Sequence, residues 1–189
     1  MSGFIDPSSF SLDTALTNLS NAFGSIQSLI VAVAYVIGLS LIVRGVMMYR
    51  IFANQTFGSA QRGEIAGPMV HLVVGAILLY FPSTLNVSLQ TIFSTTDISS
   101  ASDLVAYQSL SGGEKWQKIT DVVTMYMKLI GLIAFVRGWV ILSKMGHSGS
   151  QPGSIGKGLI HVIGGILLVN VVDTVNILAC TFGYSGGTC

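Results

Sequence analysis

Charged side chains are scarce in this chain. Asp, Glu, Lys and Arg together make up 9% of its 189 residues, against roughly 25% in an ordinary soluble domain. With a net formal charge of +1 and no basic block or basic stretch interleaved with aromatics, the sequence offers no nucleic-acid footprint. There are three histidines and two cysteines, and no carboxylate or cysteine stands at ligand spacing from a histidine, so no metal centre is expected. No Ser-His-Asp, paired-carboxylate or zinc-protease constellation occurs either. The stretch Gly153-Ser154-Ile155-Gly156-Lys157-Gly158 looks like a phosphate loop, but Gln151 stands where a Walker motif needs Gly, Gly158 stands where it needs Ser or Thr, and no strand precedes it. The expectation is a protein without catalytic residues or cofactor. Met1 to Ile5 carry no cation and are followed by Asp6 and Pro7, so no cleaved secretory signal is expected and the first apolar run serves for targeting.

Apolar residues supply what charge does not. They make up 51% of the chain, and the mean hydropathy is +0.71. Crossing about 30 Å of hydrocarbon takes about 20 helical residues, and four runs are long enough: Ser25 to Met48, Pro68 to Ser88, Asp121 to Ser143 and Lys157 to Leu178. The expected fold is an all-α integral membrane protein. Ahead of the first run, Leu12, Leu16, Leu19 and Phe23 recur at three to four residues, which predicts an amphipathic helix on the membrane surface or against a partner, capped by Ser11 or Asp13.

The runs form two copies of one unit. Gly38-Leu39 and Arg44-Gly45 return 93 residues later as Gly131-Leu132 and Arg137-Gly138, while His71, Gly75, Thr84 and Asn86 return 90 residues later as His161, Gly165, Thr174 and Asn176. This predicts two tandem membrane hairpins. The expected divisions are an N-terminal amphipathic segment at 1–24, a first hairpin at 25–94, a polar connector at 95–120, a second hairpin at 121–179 and a tail at 180–189. Arg44, Arg50 and Arg62 flank the tip of the first hairpin, and Arg137, Lys144 and Lys157 that of the second. The positive-inside rule makes both tips cytoplasmic and both termini periplasmic. Two hairpins of equal orientation make a parallel repeat about an axis near the membrane normal.

Several residues stand out within this frame. Gly38 and Gly45, like Gly131 and Gly138, are seven apart on nearly one helix face, and with Gly75 and Gly165 they would let neighbouring backbones approach closely. Arg44 and Arg137 sit four to six residues inside their helices, so they either anchor at the cytoplasmic interface or contact another subunit. His71 and His161 near the same interface suit helix-to-helix or interfacial hydrogen bonding better than a metal or proton site. Lys128 and Asp173, which replace Tyr35 and Ser83 of the first copy, are expected to pair within the membrane or to contact another subunit. Cys180 and Cys189 are expected to form a disulfide in the outward tail.

The doubled hairpin, with Gly-Leu-x4-Arg-Gly in the odd helices and His-x3-Gly leading to Thr-x-Asn in the even ones, resembles the IcmC/DotE family of type IVB secretion proteins and related membrane proteins of conjugation systems. The resemblance spans Ser25 to Gly183. It implies a structural inner-membrane subunit of a Dot/Icm-like machine that translocates effectors or DNA, with no catalytic residues to carry over. Its expected partners are the lipid bilayer and other membrane subunits, in an oligomer that packs through glycine faces to line, plug or support a channel. A small oligomeric channel or proton-coupled transporter is the alternative; it calls for polar groups near the bilayer midplane.

Overall fold

A computed structural model describes residues 12–54, 66–93, 115–146 and 154–183. The described chain is all helical. Helix α1 covers Leu12–Asn54, α2 Ala66–Leu79, α3 Phe81–Phe93, α4 Lys115–Ser143, α5 Ser154–Val169 and α6 Val171–Thr181, and a 3-10 turn at Lys144–Gly146 follows α4. The hairpin tips at 55–65 and 147–153, the connector up to residue 114 and the tail from residue 184, with Cys189, lie outside the described residues. Two helices are long and apolar enough to cross a membrane, within Asn21–Ile51 and Ile119–Ser143, and up to four spans result if each bent helix pair counts as one.

The N-terminal amphipathic segment is not a separate helix. α1 runs unbroken for 43 residues, because no proline interrupts it and because α4 packs against it. Phe23 is buried against Val122 and Leu129 of α4, with Ile30 and Met125 packed around them. α4 in turn begins at Lys115, six residues ahead of the expected start.

The second and fourth apolar runs are not straight. α2 meets α3 at 88° and α5 meets α6 at 94°. At the first joint Pro82 has no N–H and its ring collides with the carbonyl four residues back, which ends a helix. At the second joint no proline is present; Asn170 leaves the helical region at φ −114° and ψ 55°. At about 1.5 Å per residue, the 14 residues of α2 and 16 of α5 reach only about 21 and 24 Å before turning.

α4 is the central element, lying against α1, α2 and α5. Leu78, Phe81, Leu85, Leu89, Leu132 and Phe135 are fully buried around it. The rings of Phe81 and Phe135 lie 5.8 Å apart, and Trp139 adds an edge contact to Phe135. α3 therefore folds over the second hairpin with Phe81, Leu85, Leu89 and Phe93 inward. α6 buries no residue. The outer surface is apolar, with Leu29, Val36, Leu39, Met47, Ile160 and Val175 all at least half exposed, as lipid contact demands and water disfavours.

The two hairpins are out of step along their axes. Phe23 and Ile30 of α1 share one buried cluster with Val122, Met125 and Leu129 of α4, and Val31, Ala34 and Leu41 share the next with Leu132, Phe135 and Val136, so the two helices run parallel. The Phe23 ring meets that of Tyr126, 103 residues on, and Phe23 shares its cluster with Val122, 99 residues on, whereas the Arg-Gly motif recurs after 93. The second hairpin is thus slid by six to ten residues, about 10 to 15 Å, toward the N-terminal end of α1. The 3-10 turn accordingly lies alongside α2.

Candidate functional site

Two glycine seams hold the hairpins. In the first, a methyl placed on Gly38 would lie 3.0 Å from the Gly75 carbonyl and 3.0 Å from the Leu79 amide, and one on Gly75 would lie 2.9 Å from the Gly38 carbonyl. Gly45 faces Leu72 and the Pro68 carbonyl at 3.1 to 3.2 Å. The second seam is tighter. A methyl on Gly131 would lie 2.7 Å from the Val169 amide and 2.8 Å from the Gly165 carbonyl, one on Gly165 would lie 2.7 Å from the Phe135 amide, and one on Gly138 would lie 2.7 Å from the Val162 amide. Gly158, where the first hairpin has Pro68, completes this seam against Leu142 and the Gly138 carbonyl; the motif comparison passed it over because its counterpart is not glycine.

These seams are used up inside the chain. Each of the six motif glycines meets the other helix of its own hairpin, so subunits do not pack through those faces as the sequence suggested. Gly156 and Gly164 on α5 have open space around them.

The Thr of each Thr-x-Asn motif has a structural task that its spacing alone did not reveal. A bend of about 90° strips a carbonyl of its amide partner, and such a carbonyl in an apolar medium needs another donor. Thr84 Oγ1 donates to the Ile77 carbonyl at 3.2 Å. Thr174 Oγ1 reaches the Leu167 carbonyl at 2.8 Å and the Asn170 carbonyl at 2.9 Å. The same hydroxyl, seven residues past the carbonyl it serves, caps both joints.

The histidines also satisfy backbone. His71 is buried and donates from Nδ1 to the Gly67 carbonyl at 2.8 Å; His161, less buried, donates from Nδ1 to the Lys157 carbonyl at 2.7 Å. No cluster of three or more His, Cys, Asp or Glu residues suited to a metal occurs among the described residues.

Lys128 and Asp173 do not meet in an ion pair. Asp173 accepts from Asn170 Nδ2 at 2.7 Å and stands in the first turn of α6, where a carboxylate favours the helix dipole. The slide of the second hairpin brings Lys128 level with Ser25 to Leu29, the polar N-terminal end of the first apolar run. Cys180 is disulfide-bonded. Arg44 and Arg137 are both exposed. Among the described residues, the buried Asn86 Oδ1 and Trp139 Nε1 have no hydrogen-bond partner.

No family model, curated protein or solved structure matches this chain.

Proposed function

We propose that the chain is a structural inner-membrane subunit of a type IVB, Dot/Icm-like secretion or conjugation machine, built as two tandem parallel hairpins with cytoplasmic tips and periplasmic termini. The observation that carries the scaffold reading is that each repeated motif does the same work twice. Gly38 with Gly75 and Gly131 with Gly165 close the hairpins, and Thr84 and Thr174 cap the two bends. Each bent pair then counts as one span, the first turning beside Gly38 and the second beside Gly131. The assignment to a secretion machine rests on the resemblance carried by those same motifs. In that machine the subunit, together with unlike membrane subunits, lines, plugs or supports the translocation channel.

One observation favours a second reading, a small oligomeric channel or proton-coupled transporter. Gly38 lies against Leu78 and Leu79, so α3 departs beside the middle of the apolar run of α1 and carries exposed Ser83, Gln90 and Thr91 there. Purification of the full chain in mild detergent separates the two. Stable association with other membrane subunits of a secretion complex is expected; a homo-oligomer that conducts ions in liposomes and binds no such subunit refutes the structural reading.

A further inference from the structure

The slide between the hairpins makes two residues that match in sequence unlike in depth. Arg44 stands at the cytoplasmic end of the apolar run Leu29 to Val43. Arg137, carried outward with α4, lies level with Ala34 to Gly38, in the middle of that run. Lys144 takes the place level with Arg44. A guanidinium snorkels to the headgroups from one helical turn inside the boundary, as at Arg44, and far less readily from a depth 10 to 15 Å greater. Arg137 is exposed, and it makes no hydrogen bond or ion pair among the described residues.

Its surroundings have the form of a helix contact. Val123, Tyr126, Ile130, Ile133 and Arg137 are exposed in alternating steps of three and four residues along the one side of α4 left free by α1, α2 and α5. That is the spacing of a helix-packing seam. Among the described residues, a second copy of this chain supplies no carboxylate at the right depth. The acids in the described spans are Asp121, sixteen residues nearer the outer end, and Asp173, which lies beyond the joint where Val169 passes Gly131.

We propose that the Arg137 seam of α4 docks a transmembrane helix of an unlike subunit that carries an Asp or Glu at mid-bilayer depth. The proposal rests on the reading of the chain as a subunit that assembles with unlike membrane proteins, and it adds which face binds and which charge must answer it. Both residues are desolvated in the contact, so the pair fixes register and partner choice.

The test uses the full chain in its native membrane, with a photoreactive residue at Ile133, and quantifies co-purifying subunits for Arg137→Gln, Arg137→Lys and Arg44→Gln. The expected adduct is with an unlike membrane protein, at an apolar segment containing Asp or Glu. Arg137→Gln should lower recovery of that protein at least tenfold at unchanged insertion, while Arg137→Lys and Arg44→Gln retain it. Exchanging the charges, with Arg137→Glu against Arg on the partner, should restore it. An adduct with lipid or with a second copy overturns the proposal, as does equal loss in Arg137→Gln and Arg44→Gln. If the wild-type chain co-purifies with unlike subunits in those cases, only the Arg137 contact fails; if it purifies without any, the structural role fails as well.

Discussion

The second glycine seam sets a steep test. Replacing Gly131 by Ala places a methyl 2.7 Å from the Val169 amide nitrogen and 2.8 Å from the Gly165 carbonyl oxygen, whereas ordinary contact begins near 3.4 Å. The opposing atoms are backbone, so no side chain can swing away, and α5 must retreat by the 0.7 Å difference along the whole seam. Overpacking of this kind costs about 1 to 3 kcal/mol, and the helical preference of Ala over Gly returns about 1 kcal/mol. The net loss is about 0 to 2 kcal/mol, or up to roughly 8 °C in Tm for a chain of this length.

Gly38→Ala meets its nearest backbone atoms at 3.0 Å and needs a smaller retreat, and Gly164→Ala meets nothing within 4 Å. Thermal unfolding in detergent micelles should therefore rank Gly164→Ala as most stable, Gly38→Ala next and Gly131→Ala last. In the double variant Gly131→Ala with Gly165→Ala, one displacement of α5 relieves both clashes, so the combined loss should fall short of additivity. Equal stability of Gly131→Ala and Gly164→Ala refutes the seam as the element that sets the helix separation.

Thr174→Val removes the one hydroxyl donor shared between the Leu167 and Asn170 carbonyls at the second joint, and Thr84→Val a single longer bond at the first; at about 1 kcal/mol per bond, unfolding should show a loss of about 1 kcal/mol for Thr174→Val and a smaller one for Thr84→Val. Alkylation of the unfolded chain should label no thiol at Cys180 until a reductant is added, since Cys180 is disulfide-bonded. In a background with Cys180 and Cys189 changed to Ser, a short bifunctional thiol reagent should join Phe23→Cys to Tyr126→Cys, whose rings are in contact. The same reagent should join Phe23→Cys to Trp116→Cys, the pair set by the 93-residue motif spacing, poorly; the reverse ranking refutes the slide.

Helical class, two of the spans and the packing role of the motif glycines were legible from composition and spacing, because apolar length and a missing side chain are local properties. The joints were half legible. Pro82 marks the first, but hydropathy stays high across it, and a window that averages over twenty residues reads a right-angled pair as one span. The joint at Asn170 has no such marker; it depends on the hydroxyl of Thr174 and on the Asn170 to Asp173 bond, which form only once the chain has turned. The stripe of Leu12, Leu16, Leu19 and Phe23 at the start of α1 was visible in the sequence, but periodicity does not say what covers each residue: Phe23 is buried and Leu19 is exposed. Phe23 against Tyr126 is a contact 103 residues away in sequence.

The charges show why motif alignment alone misplaces chemistry. Matching the copies residue for residue sets Lys128 opposite Tyr35, inside the apolar run, and makes it the costly exception; the same matching sets Arg137 opposite Arg44 and makes it ordinary. The contacts between α1 and α4 reverse both assignments, because a slide of six to ten residues lifts Lys128 to the level of Gln27 and Ser28 and draws Arg137 in from the boundary. Lys144 then lies level with Arg44, so that end of the second hairpin keeps a cation even though its motif arginine has left it. Lys128, Arg44 and Lys144 lie level with the ends of the apolar run of α1, and Arg137 lies level with its middle. A displaced copy can thus keep cations at both ends of the run, and the displacement is why we propose that another chain answers Arg137.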